Sequence, residues 1–444
     1  MTAAETLARR VRTVHYDALP DAVIEAAKYA VEDTIAVALA GASGANTETA
    51  LAAIDGAPGP ATVWGRGSTA SALDAAFVNA VSAHALDFDD CTTTIGGHPS
   101  APLVPPIIAL GEALDTGGQA IIEAYVAGYE TLSRLGRAVM PEHYEIGWHP
   151  TATLGVFGAA AAASKLLGLG EEETAAALAI APSLAAGTKK GFGTQLKSLQ
   201  VGMAARNGLL AARLAAAGCD APADAIEGGL GFFALFNDGA GRASALAGEP
   251  GTGWALLDPG IQVKQHPCCG SAHGAIDAAI ALHAAHGPMP LGSIDRVIVS
   301  AHPRRLGHTD NPAPRTGLEA KFSMQFLVAL ALARGQVRLA DFEEPFDGGL
   351  YLPFAAKLEL VAADMADEFE ATVEVRSGST TRSAACSTPL GRGGERPMTA
   401  GERDAKFADC TVAALPQERA AALLQSLRRL ERLAHVSELT ALLT

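Results

Sequence analysis

The sequence predicts a mainly α protein: a large all-helical domain plus a smaller α+β domain. Three observations predict it. Through the first 260 or so residues, apolar side chains recur at helical spacing. Near residue 290 the character changes to β-branched runs such as IDRVIVSA at 294–301. Helical spacing then returns over residues 401–443. The implied boundaries are 1–265 for the helical domain, 266–399 for the α+β domain, and 400–444 returning to the first.

Taken in order, residues 20–41 (PDAVIEAAKYAVEDTIAVALAG) read as a helix stopped by Gly41. Residues 71–87, 101–115, 118–138, 151–168, 171–187 and 201–217 continue the pattern. Several are apolar nearly all round, which predicts central, buried helices. The Gly/Pro stretch at 56–60 reads as a surface turn. Ile294–Ala301 and Phe369–Val375 read as strands, and Ser377–Arg396 as a loop with room for a third. Ala320–Gly335 between them reads as a helix.

Composition narrows the class. The chain has 444 residues, 49% of them hydrophobic and 18% charged, which is a folded composition rather than a disordered one. Its formal net charge of −15 lacks the footprint of a nucleic-acid binder. Any anion must then be held by local arrangement. The N-terminus shows no secretory signal, and the most apolar run, Ala152–Ala163, is too short to span a bilayer. The six cysteines form no CxxC pair. The expectation is a cytoplasmic protein with reduced thiols, no zinc or iron–sulfur framework and no membrane partner.

Chemistry gathers around three His-Pro dipeptides: His98-Pro99-Ser100-Ala101, His149-Pro150-Thr151-Ala152 and His266-Pro267-Cys268-Cys269. Proline suits a first helical turn. Each histidine is therefore expected beside a helix N-terminus, whose amides favour an anion and keep the imidazole neutral. Asp87-Phe88-Asp89-Asp90 lies just ahead of His98. Composition favours solvated charge there, against an acid, a base or an orienting partner for a histidine. Lys197, expected in a loop before a helix at 201, and Lys264, ahead of His266, are candidate carboxylate anchors. Lys189 and Lys190 are weaker candidates. No GxGxxG after a strand, P-loop, HExxH or GxSxG occurs, so hydride and phosphoryl transfer have no support.

Several stretches together resemble the MmgE/PrpD family, which includes 2-methylcitrate dehydratase, cis-aconitate decarboxylase and iminodisuccinate epimerase. They are HALDFDD (84–90), GHPSAPLVPPIIALGE (97–112), GWHPTATLGVFGAAAAASKLLGL (147–169), GTQLKSLQVGMAARNGLLAARLAAAG (193–218), VKQHPCCGSAHGAIDAAIAL (263–282) and EAKFSMQFLVALAL (319–332). The resemblance implies a helical domain completed by the C-terminal tail, an α+β lid domain, a homodimer, and an active site between the domains with no metal or organic cofactor. It marks Asp87, His98, His149, Lys197 and Lys264 as the catalytic pocket; Asp90, Cys91 and His266 are expected beside it as substrate-binding residues.

The chain also departs from the family pattern. Cys91 stands where Thr or Ser is usual. Lys197-Ser198-Leu199-Gln200 replaces Lys-Pro-Leu-His. Arg305-Leu306-Gly307-His308 holds no tyrosine where the decarboxylase has one after the first lid strand, which counts against decarboxylation. The expectation is a lyase acting on a small di- or tricarboxylate, most like 2-methylcitrate dehydratase. An epimerase of the iminodisuccinate type and a non-catalytic carboxylate binder are the alternatives.

Overall fold

A computed structural model describes the chain except for residues 248–252, 308, 344, 347, 350, 356 and 393. It is mainly α, as predicted, with two small sheets among the described residues. The chain divides into two compact units: Met1–Val263 with Cys410–Thr444, and Lys264–Asp409. No helix among the described residues is long and apolar enough to cross a membrane.

The first unit opens with α1 (Ala3–Thr13). Its start is a reciprocal cap in which the Thr2 hydroxyl accepts from the Glu5 amide and the Glu5 carboxylate accepts from the Thr2 amide. α2 (Asp21–Gly41) follows, then a β1–β2 hairpin (Ala61–Val63, Ser68–Ala70) that the helical reading missed. Next come α3 (Ala72–His84), α4 (Val104–Leu114), α5 (Gly118–Val139), α6 (Gly155–Leu166), α7 (Glu171–Leu184) and α8 (Leu196–Ala216).

Glycines set how closely these helices pack. A methyl group added at Gly208 on α8 would lie 2.6 Å from the Val156 carbonyl oxygen and 2.4 Å from Ala159 Cβ on α6. One added at Gly202 would lie 2.7 Å from the Phe77 carbonyl on α3. Backbone thus meets backbone, with alanine filling the rest: Ala159 to Ala162 on α6 are all fully buried.

Some boundaries differ from the sequence reading. The helix expected over 151–168 is broken at Leu154, leaving Pro150–Thr153 and then α6. Helix α8 starts five residues before the expected position, so Lys197 sits in its first turn and not in a loop. Residues 219–263 hold only the short helix Phe232–Phe236 and single turns among those described. Residues 56–60 are indeed without regular structure and largely exposed.

The second unit carries α9 (His273–His286), β3 (Arg296–Ala301), α10 (Met324–Arg334), β4 (Leu358–Ala362), β5 (Ala371–Ser377) and β6 (Thr380–Cys386). The sheet order is β4-β3-β5-β6, with β3–β4 parallel and the other pairs antiparallel. β3 and β5 alternate buried with less buried residues, and Val297, Val299, Val373 and Val375 join the core that includes Ile276 and Leu327. Strand β4 went unread in the sequence, because LELVA alternates too weakly to stand out. His308 lies outside the described residues.

Candidate active site

Four of the sequence-marked residues converge in the first unit: Asp87, His98, His149 and Lys197. The segment after α3 organises them. Asp87 takes a left-handed backbone conformation, φ 54°, which an L-residue other than glycine adopts at a cost. That turn folds the HALDFDD segment back on itself. Asp89 then reaches the histidine at the end of α3, with Oδ2 2.7 Å from His84 Nδ1.

The acidic run is not solvated charge. Asp89 and Asp90 are fully buried and Asp87 is 6% exposed. Asp87 accepts from Lys197 Nζ at 2.6 Å and lies 3.6 Å from His98 Nε2. His98 Nδ1 is 3.2 Å from Asp89 Oδ2, a charge contact out of line for a hydrogen bond. Asp90 is bound differently: it contacts the Ser100 hydroxyl and accepts from the Ser100 amide at 3.2 Å, while the Ser100 hydroxyl also lies 2.7 Å from Tyr125 Oη. Full burial denies Asp90 direct contact with a ligand in this conformation.

His84 is the hub that sequence reasoning missed. Its ring lies 4.6 Å from that of His98 and 5.8 Å from that of His149. A lone histidine on an apolar helix gave no signal of this. Its partnership with Asp89 depends on the Asp87 turn. The two H-P-[S/T]-A motifs also touch, since the His98 amide donates to Thr151 Oγ1 at 3.0 Å.

The helix-terminus argument holds for one histidine of three. His149 caps the four-residue helix Pro150–Thr153. His98 lies six residues before α4, and His266 lies ahead of a short turn leading into α9. The physical reason is that prolines at 99 and 267 begin bends rather than helices here.

Electrostatics separate the groups. Burial pulls His149 well below its usual range, and His84 and Lys197 deepen the effect. His84 is pulled down to about 4, again chiefly by burial, although Asp89 opposes it. Burial would raise Asp89, but His84 and His98 outweigh it and hold the carboxylate well below the ordinary value. Burial pushes Asp90 up to about 8, and Asp33 and Asp89 add to it against the Ser100 hydrogen bond. Near pH 7 the site therefore holds neutral imidazoles at His84 and His149, an ionised Asp89 and a protonated Asp90, beside the Lys197–Asp87 ion pair.

Cys91 pairs through its backbone with Gln262, and its thiol lies 3.6 Å from the Gln262 carbonyl. Lys264 and His266 belong to the second unit, both nearly buried. There His266 Nε2 lies 2.9 Å from Asp277 Oδ1. Asp277 also accepts from Arg396 at 3.0 Å and from the Leu390 amide at 2.8 Å. His84, Asp89 and His98 are the residues that could hold a cation, with one ligand atom each within 4.8 Å of one another.

The MmgE/PrpD N-terminal domain matches residues 5–243 and the C-terminal domain residues 266–432, and the chain belongs to this family. It is similar to the cis-aconitate decarboxylase of Aspergillus terreus (strain NIH 2624 / FGSC A1156), 31% identical over 359 residues, covering 76% of this chain and 73% of the other. It is similar to the human cis-aconitate decarboxylase at 30% over 359 residues, covering 77% and 72%. The cis-aconitate decarboxylase-like protein oryM of Aspergillus oryzae (strain ATCC 42149 / RIB 40) matches at 29% over 457 residues, covering 96% and 94%.

Proposed function

We propose that this chain is a lyase that moves a proton at a carbon next to a carboxylate of a small polycarboxylate, using its own side chains and no metal or organic cofactor. One observation carries the reading: a buried, neutral His149 stands in one cluster with His84, His98 and the Lys197–Asp87 ion pair. An imidazole kept neutral at pH 7 can take a proton, and a neighbouring acid can supply one.

In the dehydratase form of this reaction, His149 or His98 takes the proton from the carbon beside the carboxylate. The C–H electron pair becomes a double bond, the C–O bond breaks, and the second histidine, in its protonated form, gives its proton to the departing hydroxyl, which leaves as water. Lys197 holds a carboxylate through the donors that Asp87 leaves open. The relatives favour a second form, in which the bond to a carboxyl carbon breaks, carbon dioxide leaves, and a histidine in its protonated form delivers the proton to the carbon left behind. Epimerisation uses the same proton transfer with return to the opposite face. The homodimer implied by the family is part of the proposal, and sedimentation of the purified chain tests it.

The test is to incubate the purified protein with 2-methylcitrate, cis-aconitate and iminodisuccinate in heavy water and follow proton NMR. Loss of water, loss of carbon dioxide and inversion give different products. Decarboxylation and inversion place deuterium at the carbon beside a carboxylate, whereas dehydration removes the hydrogen there and leaves an alkene. Binding with neither product nor exchange across the panel would leave a carboxylate-binding protein and end the enzymatic reading.

A further inference from the structure

We propose that Gln200 is a positioning residue that fixes the tautomer of His149, so that Nδ1 carries the proton and Nε2 is left open. The inference rests on the acid/base reading of His149 above. Gln200 lies in the second turn of α8. Its amide nitrogen is 3.3 Å from the Thr188 carbonyl oxygen, which can only accept. The amide NH2 must therefore face Thr188, and the oxygen must face His149, where Oε1 lies 2.9 Å from Nδ1. An oxygen that only accepts requires a hydrogen on Nδ1. A neutral imidazole has one such hydrogen, so Nε2 holds the lone pair. Nε2 is buried and makes no hydrogen bond.

The surrounding backbone is shaped to this amide. A methyl group at Gly187 would stand 3.1 Å from Gln200 Oε1, and one at Gly191 would stand 3.0 Å from its Nε2. Gly187 also accepts the His149 amide at 3.0 Å. The Gly187–Gly191 loop thus holds the amide that orients the ring and also anchors the ring's own backbone. The partner type matters as well. His84 faces a carboxylate, which stabilises an imidazolium, whereas His149 faces a neutral oxygen, which orients the ring and favours the charged form too little to offset burial.

The experiment uses the full chain labelled with 15N-histidine. Long-range proton–nitrogen spectra report which ring nitrogen is protonated, and His149→Gln identifies the signal. The expected wild-type spectrum at pH 7.5 shows His149 with Nδ1 protonated and Nε2 bare. In Gln200→Leu, the two tautomers mix. In Gln200→Glu, the His149 titration midpoint moves up, while His84, His98 and Lys197, the other charges around the ring, are unchanged. With a turned-over compound from the panel, Gln200→Leu lowers kcat on the order of 10–100-fold, below the full ~10²–10⁴ of acid/base catalysis, at a KM within about twofold. A wild-type Nε2–H tautomer would overturn the proposal. So would an unchanged tautomer in folded Gln200→Leu or, if that variant does not fold, an unmoved midpoint in Gln200→Glu. A bare Nε2 in a protein that neither converts any panel compound nor exchanges a proton with it would retire the enzymatic reading and leave the Gln200 assignment standing.

Discussion

Asp87 shows how much of this site turns on single residues. Its left-handed backbone lets one short segment present three carboxylates to three different partners: Lys197, His84 and Ser100. The His-Pro dipeptides stood out in the sequence as candidates, whereas composition read the acidic run as solvated charge and only the family resemblance marked Asp87. His84 did not stand out, since one imidazole among alanines and valines reads as core until its partner is known. His149→Ala is expected to lower turnover of a panel substrate by ~10²–10⁴-fold with an unchanged circular dichroism spectrum. A folded, fully active variant would remove the acid/base role.

The same residues predict how stability depends on pH. The unfolded chain releases the Asp90 proton near 3.9, whereas the folded chain keeps it to about 8. The stability from this group is complete below the unfolded value and is lost as pH rises through the folded one. His84 and His143 are pulled down to about 4 by burial. The unfolded chain takes up protons at these histidines below about 6.5 that the folded chain refuses, so acid removes stability there. Two imidazoles outweigh one carboxyl below that point. The thermal midpoint should peak at about pH 6.5 and fall on either side. Asp90→Asn should flatten the alkaline slope. The same slope in the variant would assign it to other groups.

At the scale of elements, periodicity located the long helices to within a few residues because their apolar stripes are nearly continuous. It failed where tertiary contact decides. The helix after His149 breaks at Leu154, α8 starts early, and β4 is held by its pairing to β3 rather than by its own pattern. Gly208 gives a test of the close packing between α6 and α8. Alanine favours a helix over glycine by about 1 kcal/mol. The new methyl, however, would meet a carbonyl oxygen and a backbone nitrogen below 3 Å, and backbone cannot yield as a flexible side chain does. Overpacking of this kind costs ~1–3 kcal/mol, so Gly208→Ala should lower the denaturation midpoint. A raised midpoint would show that the helices separate freely.

At the scale of the molecule, the first unit is discontinuous in sequence. Residues 410–444 complete it: the Val436 amide donates to the Thr116 carbonyl at 2.8 Å, and the Gly65 amide reaches the Leu443 carbonyl at 2.6 Å. Leu423, Leu427, Leu430, Val436, Leu439 and Leu443 are fully buried. Burial of each is worth ~1.5–3 kcal/mol, and together they match a whole domain's stability of about 5–15 kcal/mol. A chain ending at residue 409 should therefore be aggregated or protease-sensitive. A soluble, cooperatively unfolding truncation would contradict this. The helical return at 401–443 was legible, because its stripes need a second surface to cover them.

That discontinuity also sets an order of events during synthesis. The 146 residues of Lys264–Asp409 leave the ribosome before the tail does. At roughly 5–20 residues per second this is a wait on the order of 10–30 s, in which apolar helix faces meant for the tail stand open to solvent. A nascent chain stalled near residue 400 should bind holdase chaperones that the released chain sheds, so the burden of making this protein falls on cellular quality control while the tail is still awaited.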